Sequence, residues 1–310
     1  KQFHRQTRFL LHSVRQPTTD NRQLTTVYHQ TIRRKNAMLN DEQIAGVHAM
    51  HGAHEPLTYD AYLRVPALLD LQTPLGQPPV HDEMLFIIVQ QIQELWFKQI
   101  LFEMKMVIER LQAGEAMEAV RLLTRINRIM QVLGDEVDVL ATMPPREFHG
   151  FRHVLAPSSG FESHQFRELE YASGLDDPTF LKLMDRHLGL DALHSQWPAN
   201  LREAAYTLLD EVSEDAVEAW TAIYDEAGRY PALFALGEAL SEYEVYFGEW
   251  RFKHIKLVER TIGDHVPGTA GTAGSGYLGR TLKYRYFPEL WEARNRLTVQ
   301  YSRNAPHGVG

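Results

Sequence analysis

The chain contains no cysteine. That excludes disulfides, iron–sulfur clusters, cysteine nucleophiles and any cofactor held through a thiolate or a thioether bond, and it fits a reducing compartment. Long apolar runs are also missing. The longest unbroken one is Met84 to Val89, far short of the roughly 18 residues needed to span a membrane. The basic start (Lys1, Arg5, Arg8) has no apolar segment with a small-residue cleavage site behind it, so the pattern predicts a cytoplasmic protein. Positive charge is in deficit: 32 Lys and Arg against 40 Asp and Glu give a formal net charge of −8. A surface of that sign is unsuited to coating nucleic acid or an anionic membrane. Alternating strand patterns are scarce, and no internal repeat or long linker interrupts the chain.

What remains is helical. With 310 residues and 44% hydrophobic content, the chain can bury one large core or two small ones. Residues 1–55 are polar and irregular, and are expected to be flexible or packed on a neighbouring subunit. A short helix is expected from Thr58, broken by Pro74, Pro78 and Pro79. His81 to Gly114 reads as one long helix, apolar nearly all round in its first half and therefore expected in the core. Met117 to Met143 reads as a second. The segment PREFHGFRHVLAPSSGF reads as a structured turn. Shorter helices are expected over Phe161–Ser173, Asp177–His187 and Ala199–Leu209. Longer ones follow over Ala216–Gly228 and Leu233–Ile262, then a loop over 263–276 and a helical or extended tail to Tyr301. One all-α domain over residues 56–310 is the simplest architecture.

Three constellations carry chemistry. Leu236, Leu240, Tyr243, Phe247, Trp250 and His254 are spaced 4, 3, 4, 3, 4, so His254 ends an apolar helix stripe. A neutral imidazole there suits an axial haem ligand, although spacing alone fits a core histidine bonded to a carbonyl better. Arg152 offers a rigid fork for a carboxylate, and Ser158-Ser159-Gly160 offers hydroxyls and free amides ahead of a helix. A capping serine with a surface arginine explains the same residues. The Gly268–Gly276 loop is a lid over an anion or a plain connector; it is neither a Walker A loop nor a dinucleotide fingerprint. His48, His51 and His54, and the pair His149 and His153, lack a clear third metal ligand and read as incidental. Carboxylate pairs such as Glu242 and Glu244 read as solvated helix faces.

Taken in order, HDEMLFII (81–88), ELW (94–96), GFRHVLAPSSGFES (150–163), QFRELE (165–170), WRFKH (250–254), GTAGTAGSGYL (268–278) and FPELW (287–291) resemble the tryptophan 2,3-dioxygenase family. The resemblance spans roughly Thr58 to Leu297. It implies an all-α, helical haem-binding domain of the tryptophan/indoleamine dioxygenase type, non-covalent haem b, and a homotetramer that shares N-terminal segments between subunits. It implies that His254 is the axial iron ligand, with Ser159, Trp250 and Phe151 in the haem pocket. By the same resemblance Arg152 pairs with the substrate carboxylate and Thr269 contacts its ammonium and carboxylate. Phe86 packs on the indole, and Tyr59, Tyr62 and Leu63 reach in from a neighbouring subunit.

Two residues depart from the pattern. Gln90 stands where the family has a distal histidine, one turn after Phe86, and Phe148 stands where it has tyrosine. A glutamine carbonyl accepts a hydrogen bond but takes no proton at neutral pH. The related indoleamine dioxygenases lack both groups, so the departures are compatible with insertion of dioxygen into the indole 2,3-bond of L-tryptophan or a close derivative. They also fit a monooxygenase that converts a substituted tryptophan to a hydroxylated oxindole. A non-catalytic haem-binding protein is a third reading, against which Arg152 and Thr269 argue.

Overall fold

The computed structural model describes residues 58–156, 162–264, 266 and 279–304. The chain divides into two compact units, residues 1–72 and 73–310. Every regular element among the described residues is a helix, and none of these helices is long and apolar enough to cross a membrane.

In the first unit, two short helices follow one another, α1 (Tyr59–Leu63) and α2 (Val65–Leu68). The Thr58 hydroxyl caps α1 by accepting from the Ala61 amide at 3.2 Å. Arg64, at φ 53°, breaks the run between them. Neither helix buries a side chain.

The second unit is built on three long helices: α3 (Glu83–Gln112), α4 (Ala116–Leu140) and α11 (Pro231–Ile262). α4 packs against both others. Its buried positions, among them Leu122, Leu123, Ile126, Met130, Leu133 and Val137, recur every three or four residues and form one stripe. Asn127 interrupts that stripe: its Nδ2 donates to the Ala239 carbonyl at 2.9 Å, while its Oδ1 is buried without a hydrogen-bond partner. The α3–α4 turn is set by Gly114, at φ 78°. Its amide donates to the Leu111 carbonyl at 2.9 Å and the Glu115 amide to Arg110 at 2.8 Å, the paired bonds of a Schellman stop.

Shorter helices close the unit. α5 (Pro145–Leu155), α6 (His164–Ala172) and α9 (Leu201–Tyr206) pack on α3, and α7 (Pro178–His187) meets α8 (Leu190–Gln196). α10 (Ala216–Asp225) packs on α12 (Pro288–Asn304) and on α11. At Gly237 of α11 an added Cβ would come within 2.9 Å of the Tyr224 hydroxyl and 3.0 Å of the Trp220 ring, so glycine permits that close crossing.

Three expectations are corrected. The PREFHGFRHVL segment is an eleven-residue helix, α5, because Pro144 and Pro145 begin it at N-cap and N1 instead of breaking it. The first half of α3 is not buried all round: Met84, Ile88 and Leu95 are exposed. Glu244 is buried, accepting from the Tyr286 and Phe287 amides at 2.9 and 3.0 Å and from Trp291 Nε1 at 2.8 Å. Helix α8 had no counterpart in the pattern; it starts at Gly189, at φ 77°.

Leu123 of α4 is fully enclosed, whereas Met117 on the same helix is largely exposed. Leu123→Ala should therefore lower the unfolding free energy by about 2–5 kcal/mol. Met117→Ala should change it by less than about 0.5 kcal/mol. Chemical denaturation of the two variants checks the difference.

Candidate functional site

The stripe on α11 is buried along its length and becomes partly accessible only at its last residue. Leu236, Leu240, Tyr243 and Phe247 are fully enclosed and Trp250 nearly so, while His254 keeps partial access to solvent. The Trp250 and His254 rings stack, with centroids 5.3 Å apart and planes 5° from parallel. Trp250 is itself held by Phe166 at 4.9 Å and by the edge of Phe97 at 6.4 Å. Its indole Nε1 is buried with no hydrogen-bond partner.

Burial lowers the His254 pKa to about 4, with the positive charge of Arg167 adding to the effect. The imidazole is therefore neutral at physiological pH, with a ring-nitrogen lone pair free to bind a Lewis acid. Among the described residues no three His, Asp or Glu side chains converge to hold a metal ion. His149 and His153 are exposed on α5. A single neutral imidazole in aromatic surroundings fits a group that brings its other ligands with it, as haem does.

Beneath His254 lies a buried charge network. Arg251, one turn earlier on α11, donates to Glu170 Oε1 at 2.6 Å, to the Tyr286 hydroxyl at 2.8 Å and to the Thr281 carbonyl at 3.1 Å. Its guanidinium lies over the Phe247 ring at 4.6 Å and Tyr284 at 5.2 Å. The other Glu170 oxygen is 2.6 Å from Arg167, whose own guanidinium covers Phe166 at 4.6 Å. Ser173 and Tyr243 extend the network through a hydroxyl–hydroxyl bond of 2.6 Å. Arg167 also lines a cavity of 340 Å³ with Glu162, His164, Met184, His187 and Leu188. Arg167, Glu170 and Arg251 fall within the motifs QFRELE and WRFKH, yet their pairing joins residues 81 apart in sequence, which no spacing pattern reveals.

A second apolar cluster forms where α3 meets α5. Phe86 lies 6.0 Å from Phe148 and 5.4 Å from Phe151, and Phe148 meets Phe151 edge-on at 5.4 Å. Val89, Leu140 and Met143 complete its buried part. Leu257, one turn beyond His254, packs on this cluster and on the main core alike. Gln90 follows Phe86 by one turn of α3, and Arg152 follows Phe151 in the last turn of α5; both are half-buried.

The HDE portion of the first motif is structural. Glu83 is buried and accepts from the Leu75 and Gly76 amides at 2.6 and 2.9 Å. A Cβ at Gly76 would stand 2.8 Å from Glu83 Oε2, so the chain can cross here only as glycine. Phe86, Phe148 and Phe151 are thus brought together, with Gln90 and Arg152 on the same two helices. His254 and Trp250 stack on α11, whose Leu257 packs on this cluster. Tyr59, Tyr62 and Leu63 form an exposed row in the first unit. Ser159 and Thr269 lie outside the described residues, as do His48, His51, His54, residues 1–55 and most of the 263–276 loop.

The His254 environment sets a pH dependence for the ligand-free protein. Its folded pKa is depressed to about 4, below the ordinary unfolded value of about 6.5. The unfolded chain thus takes up a proton first, and stability falls as pH drops from about 6.5 toward 4. The His254 share of that loss should reach about 2–3 kcal/mol. Stability curves of the His254→Gln variant should lack it, a difference read directly from denaturation midpoints between pH 7 and pH 4.

Known proteins match this chain closely. A family model described as tryptophan 2,3-dioxygenase matches residues 41–186 and 201–297. A tryptophan 2,3-dioxygenase of Nocardioides sp. (strain ATCC BAA-499 / JS614) is 41% identical over 256 residues, covering 78% of this chain and 95% of the relative. One of Caulobacter vibrioides is 38% identical over 264 residues, covering 78% and 99%. One of Bacillus thuringiensis subsp. konkukian is 37% identical over 264 residues, covering 78% and 94%.

Proposed function

This chain belongs to the tryptophan 2,3-dioxygenase family, and from that premise we propose that it is a haem-dependent oxygenase that inserts dioxygen into the indole 2,3-bond of L-tryptophan or a close derivative. The observation that carries the reading is the state of His254: neutral through burial, stacked on Trp250, and partly accessible at the end of a buried apolar stripe. Haem b would be held through the His254 ring nitrogen, with Trp250, Phe151 and Ser159 around it, and when bound it supplies the iron that activates dioxygen.

The chain's own residues bind and orient the amino acid. Arg152 takes the substrate carboxylate with its fork of donors, and Thr269 contacts the ammonium and carboxylate. Phe86, in contact with Phe148 and Phe151, gives the indole an aromatic wall. Tyr59, Tyr62 and Leu63, exposed in the first unit, serve a neighbouring subunit in a homotetramer. Much of the rate then comes from holding the indole against the reacting oxygen. The chain is read as cytoplasmic.

Gln90 accepts a hydrogen bond from the indole N–H through its side-chain carbonyl and leaves the proton in place. Phe148 supplies no hydroxyl. No group at these two positions titrates near neutrality, so the kcat/KM profile should be flat from pH 6 to 8 on their account. Gln90→His should add an inflection near the ordinary histidine pKa of about 6.5. Arg152→Met should raise KM for L-tryptophan about 10- to 100-fold, as expected for loss of a charged hydrogen-bond pair. The decisive experiment is mass spectrometry of the product from reduced, haem-loaded protein. A gain of two oxygen atoms supports the dioxygenase. A gain of one on a substituted tryptophan supports the monooxygenase that Gln90 and Phe148 leave open. Unchanged substrate with a haem spectrum insensitive to added tryptophan supports a haem-binding protein.

A further inference from the structure

The ring stack at His254 has a rigid backing. Residues four apart on a helix lie one above the other, and helical side chains lean toward the N-terminal turn, so the imidazole comes down over Trp250. Rings at that spacing meet at any angle between parallel and perpendicular. Here the planes are 5° from parallel, with centroids 5.3 Å apart. The other ring contacts of Trp250 are inclined, Phe166 at 37° and Phe97 at 81°.

The indole is not free to follow a turning imidazole. It is nearly enclosed, with Phe166 against it at 4.9 Å. Phe166 is itself held between Phe247, 5.6 Å away, and the Arg167 guanidinium, 4.6 Å from its ring centre. Arg167 is anchored on Glu170, and Glu170 on Arg251, the neighbour of Trp250 in the chain. The series Glu170, Arg167, Phe166, Trp250 thus ends on the imidazole.

We propose that Trp250 is a positioning residue: its indole face fixes the plane in which the His254 imidazole meets the haem iron, with Phe166 and the Glu170–Arg167 pair bracing the indole from behind. The proposal rests on the oxygenase reading in one respect, that haem is what His254 holds. The plane of an axial imidazole decides which iron d orbitals its π system overlaps, and the axial ligand is a principal lever on the iron. A plane set before the cofactor arrives also spares the entropy of freezing the ring on binding. The face is what acts, since Nε1 makes no hydrogen bond among the described residues. Phenylalanine at this position therefore keeps the role, and leucine loses it.

The test compares the full-length wild type with Trp250→Phe and Trp250→Leu. In the haem-free chain, NMR of isotope-labelled histidine should find the His254 ring protons shifted upfield by the indole face, with His254→Gln identifying the signals. Trp250→Leu should abolish that shift and Trp250→Phe should keep most of it. In the ferric, cyanide-bound protein, EPR g-values report the imidazole plane. Trp250→Phe should reproduce the wild-type spectrum, and Trp250→Leu should give altered anisotropy and broader lines. Haem transfer to apomyoglobin should be about 2- to 10-fold faster from Trp250→Leu, as for loss of one preorganised side chain, and near the wild-type rate from Trp250→Phe. Leu123→Ala, weakened in the core without touching the stacked pair, should leave the g-values unchanged. Where Trp250→Leu fails to fold, Phe166→Leu withdraws the brace and should change the anisotropy in the same direction. Unchanged g-values in the leucine variant overturn the proposal, as do equal changes in Trp250→Phe or Leu123→Ala, or a His254 ring with no upfield shift in the wild type. A wild-type protein that binds no histidine-ligated haem overturns the oxygenase reading instead, and the haem-free NMR comparison still decides whether Trp250 holds the ring.

Discussion

The Glu170–Arg251 ion pair is the contact on which the His254 side of the molecule depends. Glu170 comes from α6 and Arg251 from α11, and both are buried. Through Arg251 the pair also holds the Thr281 carbonyl and the Tyr286 hydroxyl, fixing the segment that leads into α12. Removing either partner would leave an uncompensated charge in the interior, which costs far more than the pair contributes as a net gain. Arg167 lies against the other Glu170 oxygen, and Tyr286 and the ring of Phe247 lie against Arg251, so the pair is supported from several directions. One consequence reaches the imidazole: Arg167 is close enough to add to the burial that keeps His254 neutral.

Around that anchor the aromatic residues divide into two sets. Trp250, Phe166, Phe97 and Phe247 back the imidazole from the main core, and their mutual edge and tilted contacts leave the Trp250 and His254 planes parallel. Phe86, Phe148 and Phe151 form a separate group at the α3–α5 junction. Leu257 touches both sets from α11, so a change in the path of α11 beyond His254 would be felt in the second group. The α3–α5 junction is in turn fixed by the Glu83 clamp on the Leu75 and Gly76 amides and by Gly150, where a Cβ would stand 2.9 Å from Val80.

α3 presents three different sides. One side fills the core, one carries Phe86 and Gln90, and one leaves Leu95 exposed. This explains why its first half is apolar nearly all round. A helix with that composition need not be enclosed by its own chain: Phe97, Ile100 and Met104 fill the core while Met84, Ile88 and Leu95 stay exposed.

The sequence by itself determined the helical class, the positions of the long helices, the stop at Gly114 and the stripe ending at His254. These features are local: they follow from a 3.6-residue period and from turn chemistry within a few residues. Motif order was enough to point to the family. What only the tertiary structure decided is which polar residues are buried and with whom. Glu244 looked like half of a solvated pair because its partners, Tyr286, Phe287 and Trp291, lie more than forty positions away. The segment at Pro144–Pro145 looked like a turn because proline ends helices more visibly than it begins them. The neutrality of His254 was likewise undecided by its spacing. Desolvation is a property of everything packed around the ring, and only the fold brings Arg167 beside it and Trp250 flat against it.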